Sequence, residues 1–237
     1  MDNTDRFLEL YRQLERDGRR AYFPNAQDKE AIMGRLMSVP ELRMYKEDID
    51  YCRVVRNFLV HTPKVKNQYP IVVSEEMIQL MEEIVDRVKN PIKAIDYAVK
   101  IENMYTAQLH SNIIDVVRHM QASGFTHVPV IEEGKLIGVF SGNVIYTYLS
   151  SAAEINLNIN SNISILMEYL PIYNHTNEYF AFMGKNSSFH DIRQLFKIDA
   201  KSMKQLAAVF LTETGKNNEK VLAMLTPYSI LRDAPDL

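Results

Sequence analysis

The sequence contains one cysteine, no excess of basic residues and no long apolar run. Cys52 cannot form a disulfide within the chain, and its apolar helical surroundings favour a buried structural thiol. The formal net charge of -3 argues against a broadly basic nucleic-acid surface, so any RNA contact must be local. No segment approaches the roughly 20 apolar residues that span a bilayer, and the acidic start lacks a signal-peptide pattern. We therefore expect a cytoplasmic protein without a membrane segment.

Metal-ligand spacings are also missing from the sequence. No close group of His, Cys, Asp and Glu residues has the spacing that zinc sites use. We therefore expect no metal site, and the chemistry considered below uses side chains alone.

The first ninety residues have apolar positions at helical spacing and almost no strand pattern. The spacing predicts a first helix that ends near Gly18, a second over residues 31–37, a third over about residues 42–61 and a fourth that begins at Ser74. Ser74 is a suitable N-cap, and acidic residues follow it in the first turn of the helix. We expect a four-helix bundle over residues 1–90.

A sequence repeat occupies the rest of the chain. Residues 111–115 return in a similar form as residues 187–191, and residues 136–141 return as residues 221–226. Each copy has the pattern strand, helix, strand, strand, helix. The expected fold class is therefore α+β, with a helical bundle followed by a pseudo-twofold pair of β-α-β-β-α repeats.

We assign the first repeat to residues 91–152 and the second repeat to residues 163–237. In each repeat a hydroxyl residue, Ser141 or Thr226, follows the last strand where a helix begins. Such a residue is expected to cap the helix. A strand-to-helix junction of this kind also points free backbone N–H groups at an anion.

The repeats resemble a tandem pair of cystathionine-beta-synthase (CBS) domains, also called a Bateman module. The resemblance covers about residues 95–235 and is carried by residues 127–130, 138–141 and 226–231. It implies two packed repeats that bind AMP, ADP, ATP or another adenosyl ligand in the clefts between them, without chemistry on the ligand. The residues that it implies for ligand binding are His127, Gly138, Ser141, Thr226 and Ser229.

The nucleotide signature of that family has a Ser or Thr after the last strand and an Asp three positions later. Ser141 and Thr226 supply the hydroxyl, but the later position holds Val144 in the first repeat and Ser229 in the second. Valine cannot accept a hydrogen bond from a ribose, so the second repeat is predicted to be the better site. Helix capping alone would also explain Ser141 and Thr226, and this alternative stays open.

The third predicted helix resembles the signature of HEPN domains, which are four-helix units with a metal-independent ribonuclease site. Arg56 is followed by the polar Asn57 and, five positions after the arginine, by His61. The resemblance covers about residues 4–89 and implies that Arg56, Asn57 and His61 are catalytic in a homodimer. A neutral imidazole would deprotonate the RNA 2′-hydroxyl while a guanidinium stabilises the phosphate, so no cofactor is required.

Two functions are consistent with these patterns. In the first, a homodimeric regulatory protein binds a nucleotide through its CBS pair and controls RNA cleavage or RNA binding by the helical bundle. In the second, the protein is a non-enzymatic sensor or adaptor whose bundle mediates dimerisation or partner docking. Arg56 would then be a surface cation, and His61 a residue that interacts favourably with the helix C-terminus.

Overall fold

The structure is a computed structural model that describes residues 2–27, 30–197 and 204–232. The chain divides between Ile92 and Lys93 into two compact units, here called the helical unit and the repeat unit. Helices dominate the first unit and mixed helices and strands form the second, so the predicted α+β class is confirmed. None of the described helices is both long and apolar enough to cross a membrane.

In its described residues, the helical unit contains three long α-helices and one single-turn α-helix. A 3-10 helix at Pro40–Tyr45 directly precedes the third α-helix. The α-helices are α1 (Asn3–Tyr22), α2 (Met33–Leu36), α3 (Lys46–His61) and α4 (Glu75–Lys89). The predicted second helix is therefore only one turn long. The predicted cap of α4 is confirmed, since the Ser74 hydroxyl accepts a hydrogen bond from the Met77 N–H at 3.3 Å.

Gly18 lies inside α1, and the prediction that this helix ends near Gly18 is wrong. The helix continues to Tyr22. A Cβ atom at position 18 would lie 2.8 Å from a methyl carbon of Leu36, which is fully buried. Glycine at this position therefore permits close packing of α1 against α2.

Cys52 is fully buried in the apolar core of the helical unit. Its Sγ lies 3.7 Å from Sδ of Met77. Burial raises the pKa of the Cys52 thiol to about 12, so the thiol stays protonated at neutral pH. The prediction of a buried structural thiol is confirmed.

In the residues that the structure describes, the repeat unit contains two sheets and four α-helices. One sheet has the strand order β1-β6-β5-β4, and the other is the hairpin of β2 and β3. The strands are β1 (Val99–Lys100), β2 (His127–Glu132), β3 (Lys135–Ser141), β4 (Glu178–Gly184), β5 (Gln205–Thr212) and β6 (Ala223–Leu225). The helices are α5 (Ile113–Ser123), α6 (Gly142–Ser151), α7 (Phe189–Leu195) and α8 (Pro227–Arg232).

The segment that opens each repeat pairs with the other repeat. The Ala94 N–H donates to the Ser187 carbonyl in the second repeat at 2.9 Å. The Ile163 N–H makes the corresponding bond to the Ser111 carbonyl in the first repeat, also at 2.9 Å. In the same way β1, near the start of the first repeat, pairs antiparallel with β6, the last strand of the second. This reciprocal exchange gives the repeat unit the pseudo-twofold arrangement that the sequence repeat predicts.

Gly138 allows the first segment of the second repeat, at Leu170, to approach β3. The Val139 N–H donates to the Leu170 carbonyl at 3.0 Å. A Cβ atom at Gly138 would lie only 2.1 Å from that carbonyl oxygen, closer than two non-bonded atoms can come. The glycine therefore has a packing role, whatever its role toward a ligand.

We expect Gly138→Ala to destabilise the repeat unit by about 3 kcal/mol, because the clash is with backbone and cannot be relieved by a rotamer change. Urea unfolding followed by circular dichroism measures this loss. The matched control is Gly142→Ala, where the nearest atom to the new methyl group is 3.9 Å away and no loss is expected. Equal stability of the two variants would contradict the packing role of Gly138.

Candidate functional site

A buried carboxylate, Glu178, lies at the centre of the polar cluster in the repeat unit. It is the first residue of β4 and is only 6% exposed. Its Oε1 accepts from Oγ of Ser141 and is bonded to Nδ1 of His175, both at 2.8 Å. Its Oε2 is bonded to Nε2 of His127 at 2.8 Å and accepts from Nδ2 of Asn143 at 3.0 Å. Four side chains thus converge on one carboxylate.

The donors are positioned by the junction between β3 and α6. His127 and Ser141 are directly paired across the β2–β3 hairpin, and Asn143 is the second residue of α6. The carboxylate of Glu178 therefore interacts with side chains at the N-terminus of α6, where the helix dipole favours negative charge. The prediction that the Ser141 side chain caps α6 is wrong, because its hydroxyl donates to Glu178 and makes no cap bond.

His175 has acceptors at both ring nitrogens, and its side chain is fully buried. Nδ1 faces the Glu178 carboxylate at 2.8 Å, and Nε2 faces the Leu170 carbonyl oxygen at 3.2 Å. An ionised carboxylate only accepts hydrogen bonds, so Nδ1 is the ring nitrogen that donates to Glu178. The Lys204 ammonium donates to the backbone carbonyl of His175 at 2.6 Å and holds this segment in place. Glu178 and His175 thus form a buried hydrogen-bonded pair.

Two opposing effects act on the acidity of Glu178. Burial by itself would raise the pKa of its carboxyl group. The hydrogen bonds from His127 and His175, together with that from Ser141, act in the other direction and hold the pKa well below its usual range. Glu178 is therefore ionised in the folded protein at neutral pH.

The corresponding junction of the second repeat is built differently. The Ser229 N–H donates to Oγ1 of Thr226 at 3.4 Å, and the Thr226 N–H donates to Oγ of Ser229 at 3.3 Å. These reciprocal bonds form a capping box at the start of α8, as predicted for Thr226. Ser229 is buried, so its hydroxyl serves the cap. In the first repeat the position equivalent to Ser229 is Val144, which is buried in the apolar core.

A cavity of about 400 Å³ lies beside this polar cluster, between β3 and β4. Its lining is mainly aromatic and aliphatic, with Lys204 and Asn217 as polar members. The other lining residues are Leu136, Ile137, Pro171, Ile172, Tyr173, Tyr179, Phe180 and Phe182. The volume falls within the range of small-molecule sites.

None of the five predicted ligand-binding residues is among those that line this cavity. His127 and Ser141 are brought together by Glu178, Thr226 and Ser229 cap α8, and Gly138 packs against the Leu170 carbonyl. Their role in ligand binding stays a prediction. Among the described residues, no three His, Cys, Asp or Glu side chains are arranged to hold a metal ion.

Sequence reasoning did not identify Glu178, His175 or Asn143 as site residues. One signal was available, because Glu178 is an acidic residue at the start of an otherwise apolar strand, three residues after a histidine. A carboxylate in such a position needs internal donors if the strand is buried. The aromatic cavity carried a second signal, with aromatic residues at Tyr179, Phe180 and Phe182 along that strand.

In the helical unit, the structure joins Arg56 and Asn57 but leaves His61 apart. Nη1 of Arg56 donates to Oδ1 of Asn57 at 3.2 Å, and the guanidinium carbon lies 5.5 Å from the centre of the Tyr11 ring. Burial raises the pKa of Tyr11 to about 12, so the ring is a neutral phenol beneath the cation. His61 is exposed as the last residue of α3.

Comparison with known proteins identifies one family. Residues 92–149 match the family model of the CBS domain. The first repeat is therefore similar to a CBS domain, and a second repeat with the same order of helices and strands follows it. No protein with a curated description matches the chain.

Solved structures with similar folds include several CBS proteins. CBSX2 in complex with AMP is 15% identical, and the alignment covers 60% of this chain and 96% of that chain with a TM-score of 0.41. A putative acetoin utilization protein, AcuB, from Vibrio cholerae is 18% identical, with coverage of 61% and 90% and a TM-score of 0.42. CbpB in complex with c-di-AMP is 19% identical, with coverage of 60% and 84% and a TM-score of 0.43.

We expect Glu178→Gln to destabilise the protein by about 3 kcal/mol at pH 7, because the amide NH2 cannot accept the two hydrogen bonds that one carboxylate oxygen accepts. The lowered pKa of Glu178 contributes stability that is fully present above the ordinary value of 4.5 and is lost as the pH falls below it. The difference between wild type and variant should therefore begin to shrink near pH 4.5 and continue to shrink as the pH falls further toward the lowered pKa of Glu178.

Urea unfolding at each pH measures this difference. The groups that face Glu178 are His127 and His175, with Lys204 bound to the His175 carbonyl. Glu168→Gln, which changes an exposed carboxylate of the same segment, is the control and should have little effect at any pH. A pH-independent difference for Glu178→Gln would contradict ionisation of the carboxylate as its source.

Proposed function

We propose that the repeat unit is a sensor that binds an adenosine-containing ligand in the cavity between β3 and β4. The observation that carries this proposal is the cavity itself, with its aromatic wall and a volume of about 400 Å³. The CBS match over residues 92–149 supports the ligand class, because adenine nucleotides are what the CBS resemblance implies.

The lining suits a planar base. Tyr173 is 80% exposed and Tyr179 is 40% exposed, so both rings can gain contact area when a base stacks on them. Phe180 and Phe182 form the inner wall, and the Asn217 amide can donate to and accept from the edge of a base. The Lys204 ammonium supplies positive charge for a phosphate or a ribose oxygen.

Ligand binding should raise the melting temperature. A ligand at about 100 times its Kd stabilises the native state by about 2.7 kcal/mol, which corresponds to roughly 5 to 10 °C for a chain of this size. Thermal unfolding is measured with adenosine, AMP, ADP, ATP, S-adenosylmethionine and cyclic di-AMP. At least one of them should give a saturable increase.

A matched pair of tyrosine variants locates the site. Tyr173→Ala should weaken the response to the active compound about tenfold or more, because one stacking face is worth about 1 to 3 kcal/mol. Tyr146 is 70% exposed on α6 and does not line the cavity, so Tyr146→Ala should respond like wild type. A flat screen, or equal effects of the two variants, would contradict binding in this cavity.

For the helical unit, we propose metal-independent RNA cleavage as its output, under control of the ligand. The Arg56–Asn57 hydrogen bond and the exposure of His61 favour this proposal. The bond and the Tyr11 ring fix the guanidinium on the side of α3, while the imidazole is accessible to solvent. A homodimer would bring together the Arg56, Asn57 and His61 side chains of two chains. The exposed apolar side chains of Tyr51, Val54 and Phe58, which recur at helical spacing on α3, support pairing through that helix.

We expect His61→Ala to slow RNA cleavage by about 100-fold or more, since it removes the general base. The rate is measured on a labelled single-stranded RNA with and without the active ligand. His110→Ala, an exposed histidine of the repeat unit, is the control and should leave the rate unchanged. If His61→Ala cleaves as fast as wild type, the helical unit is a dimerisation or docking unit, and the protein is a non-enzymatic adaptor.

A further inference from the structure

We propose that the Glu178 carboxylate occupies a preformed anion-binding pocket at the start of α6. An external oxyanion enters that pocket only when the carboxylate is absent from it. The walls of the pocket are His127, Ser141, Asn143 and His175. The ligand class that the pocket would accept is a small carboxylate or a phosphate.

The geometry of the donors carries the proposal. They come from three separate segments, namely β2, the β3–α6 junction and the segment before β4. Each lies 2.8 to 3.0 Å from a carboxylate oxygen, and two donors serve each oxygen. In the described part of the chain no buried side-chain nitrogen or oxygen is left without a hydrogen-bond partner. The pocket is therefore matched to one oxyanion, and Glu178 supplies it.

The negative charge of Glu178 excludes a second anion from the pocket. The four converging donors and the N-terminus of α6 favour one negative charge at this position, and Glu178 already provides it. A second anion would meet the carboxylate at short range in a site that excludes most water, where like charges repel strongly. Ser141 therefore does not bind the phosphate of a ligand while Glu178 stays in place.

The pocket also contacts the wall of the neighbouring cavity through Phe180. The Phe180 ring lies edge-on to the His175 ring at 5.0 Å and to the His127 ring at 5.9 Å, and it lines the cavity. Resting on the proposed function, this arrangement means that a nucleotide in the cavity must direct its phosphate away from Ser141. The experiment below uses no nucleotide, so it tests the pocket whether or not the cavity binds adenosine.

Chemical rescue tests the proposal. In Glu178→Ala the four donors surround a vacated position, and the melting temperature should fall well below that of wild type. Sodium formate should then raise it saturably by several degrees, whereas sodium chloride at the same ionic strength should not. Inorganic phosphate is tested in parallel and shows whether the vacated pocket also accepts a larger oxyanion. A lack of response to formate would overturn the proposal.

Three further measurements complete the design. Wild type and Glu168→Ala should show the same small response to formate as to chloride, and a large formate response in either would overturn the proposal. Glu178→Gln keeps the pocket filled, so it should be destabilised but not rescued; rescue of this variant would show that formate acts elsewhere. If Glu178→Ala is recovered unfolded, the comparison is made as refolding yield in formate against chloride, and equal yields would overturn the proposal.

Discussion

The hydrogen bonds that converge on the buried Glu178 carboxylate are the interactions on which the repeat unit depends. Glu178 and its donor His175 belong to the segment that opens the second repeat, yet the other donors, which are His127, Ser141 and Asn143, belong to the first. A buried carboxylate is tolerable only if its desolvation is offset by such bonds. The same bonds therefore fix where β4 begins, how the β2–β3 hairpin faces it, and which residues reach the aromatic cavity.

The duplication produces two strand-to-helix junctions with different side-chain chemistry. At α8 the Thr226 and Ser229 side chains complete the cap locally. At α6 the equivalent hydroxyl is used for a contact between repeats, and Val144 is free to join the apolar core. Each repeat thus keeps a helix directly after its last strand, while the side chains at the two junctions differ. One junction is local and the other links the repeats.

Much of the fold could be predicted because its signals are local. The Ser74 cap, the buried Cys52 and the helix–strand order of the repeats all follow from spacing within about 15 residues. The candidate site could not be predicted in the same way. His127 and Glu178 are 51 positions apart, and which carboxylate would meet Ser141 depended on how the two repeats pack. Gly18 was misread for a related reason, because its role is set by Leu36 on another helix.

The pairing of β1 with β6 has a consequence for synthesis of the chain. Val99 lies opposite Met224, so the segment that enters the first repeat finds its partner only when the end of the second repeat has been made. A ribosome adds roughly 5 to 20 residues per second, so this edge of the nascent chain waits several seconds without its partner. During that interval the exposed Val99 strand is a place where a neighbouring chain, or a chaperone, competes with the native partner for the same backbone hydrogen bonds.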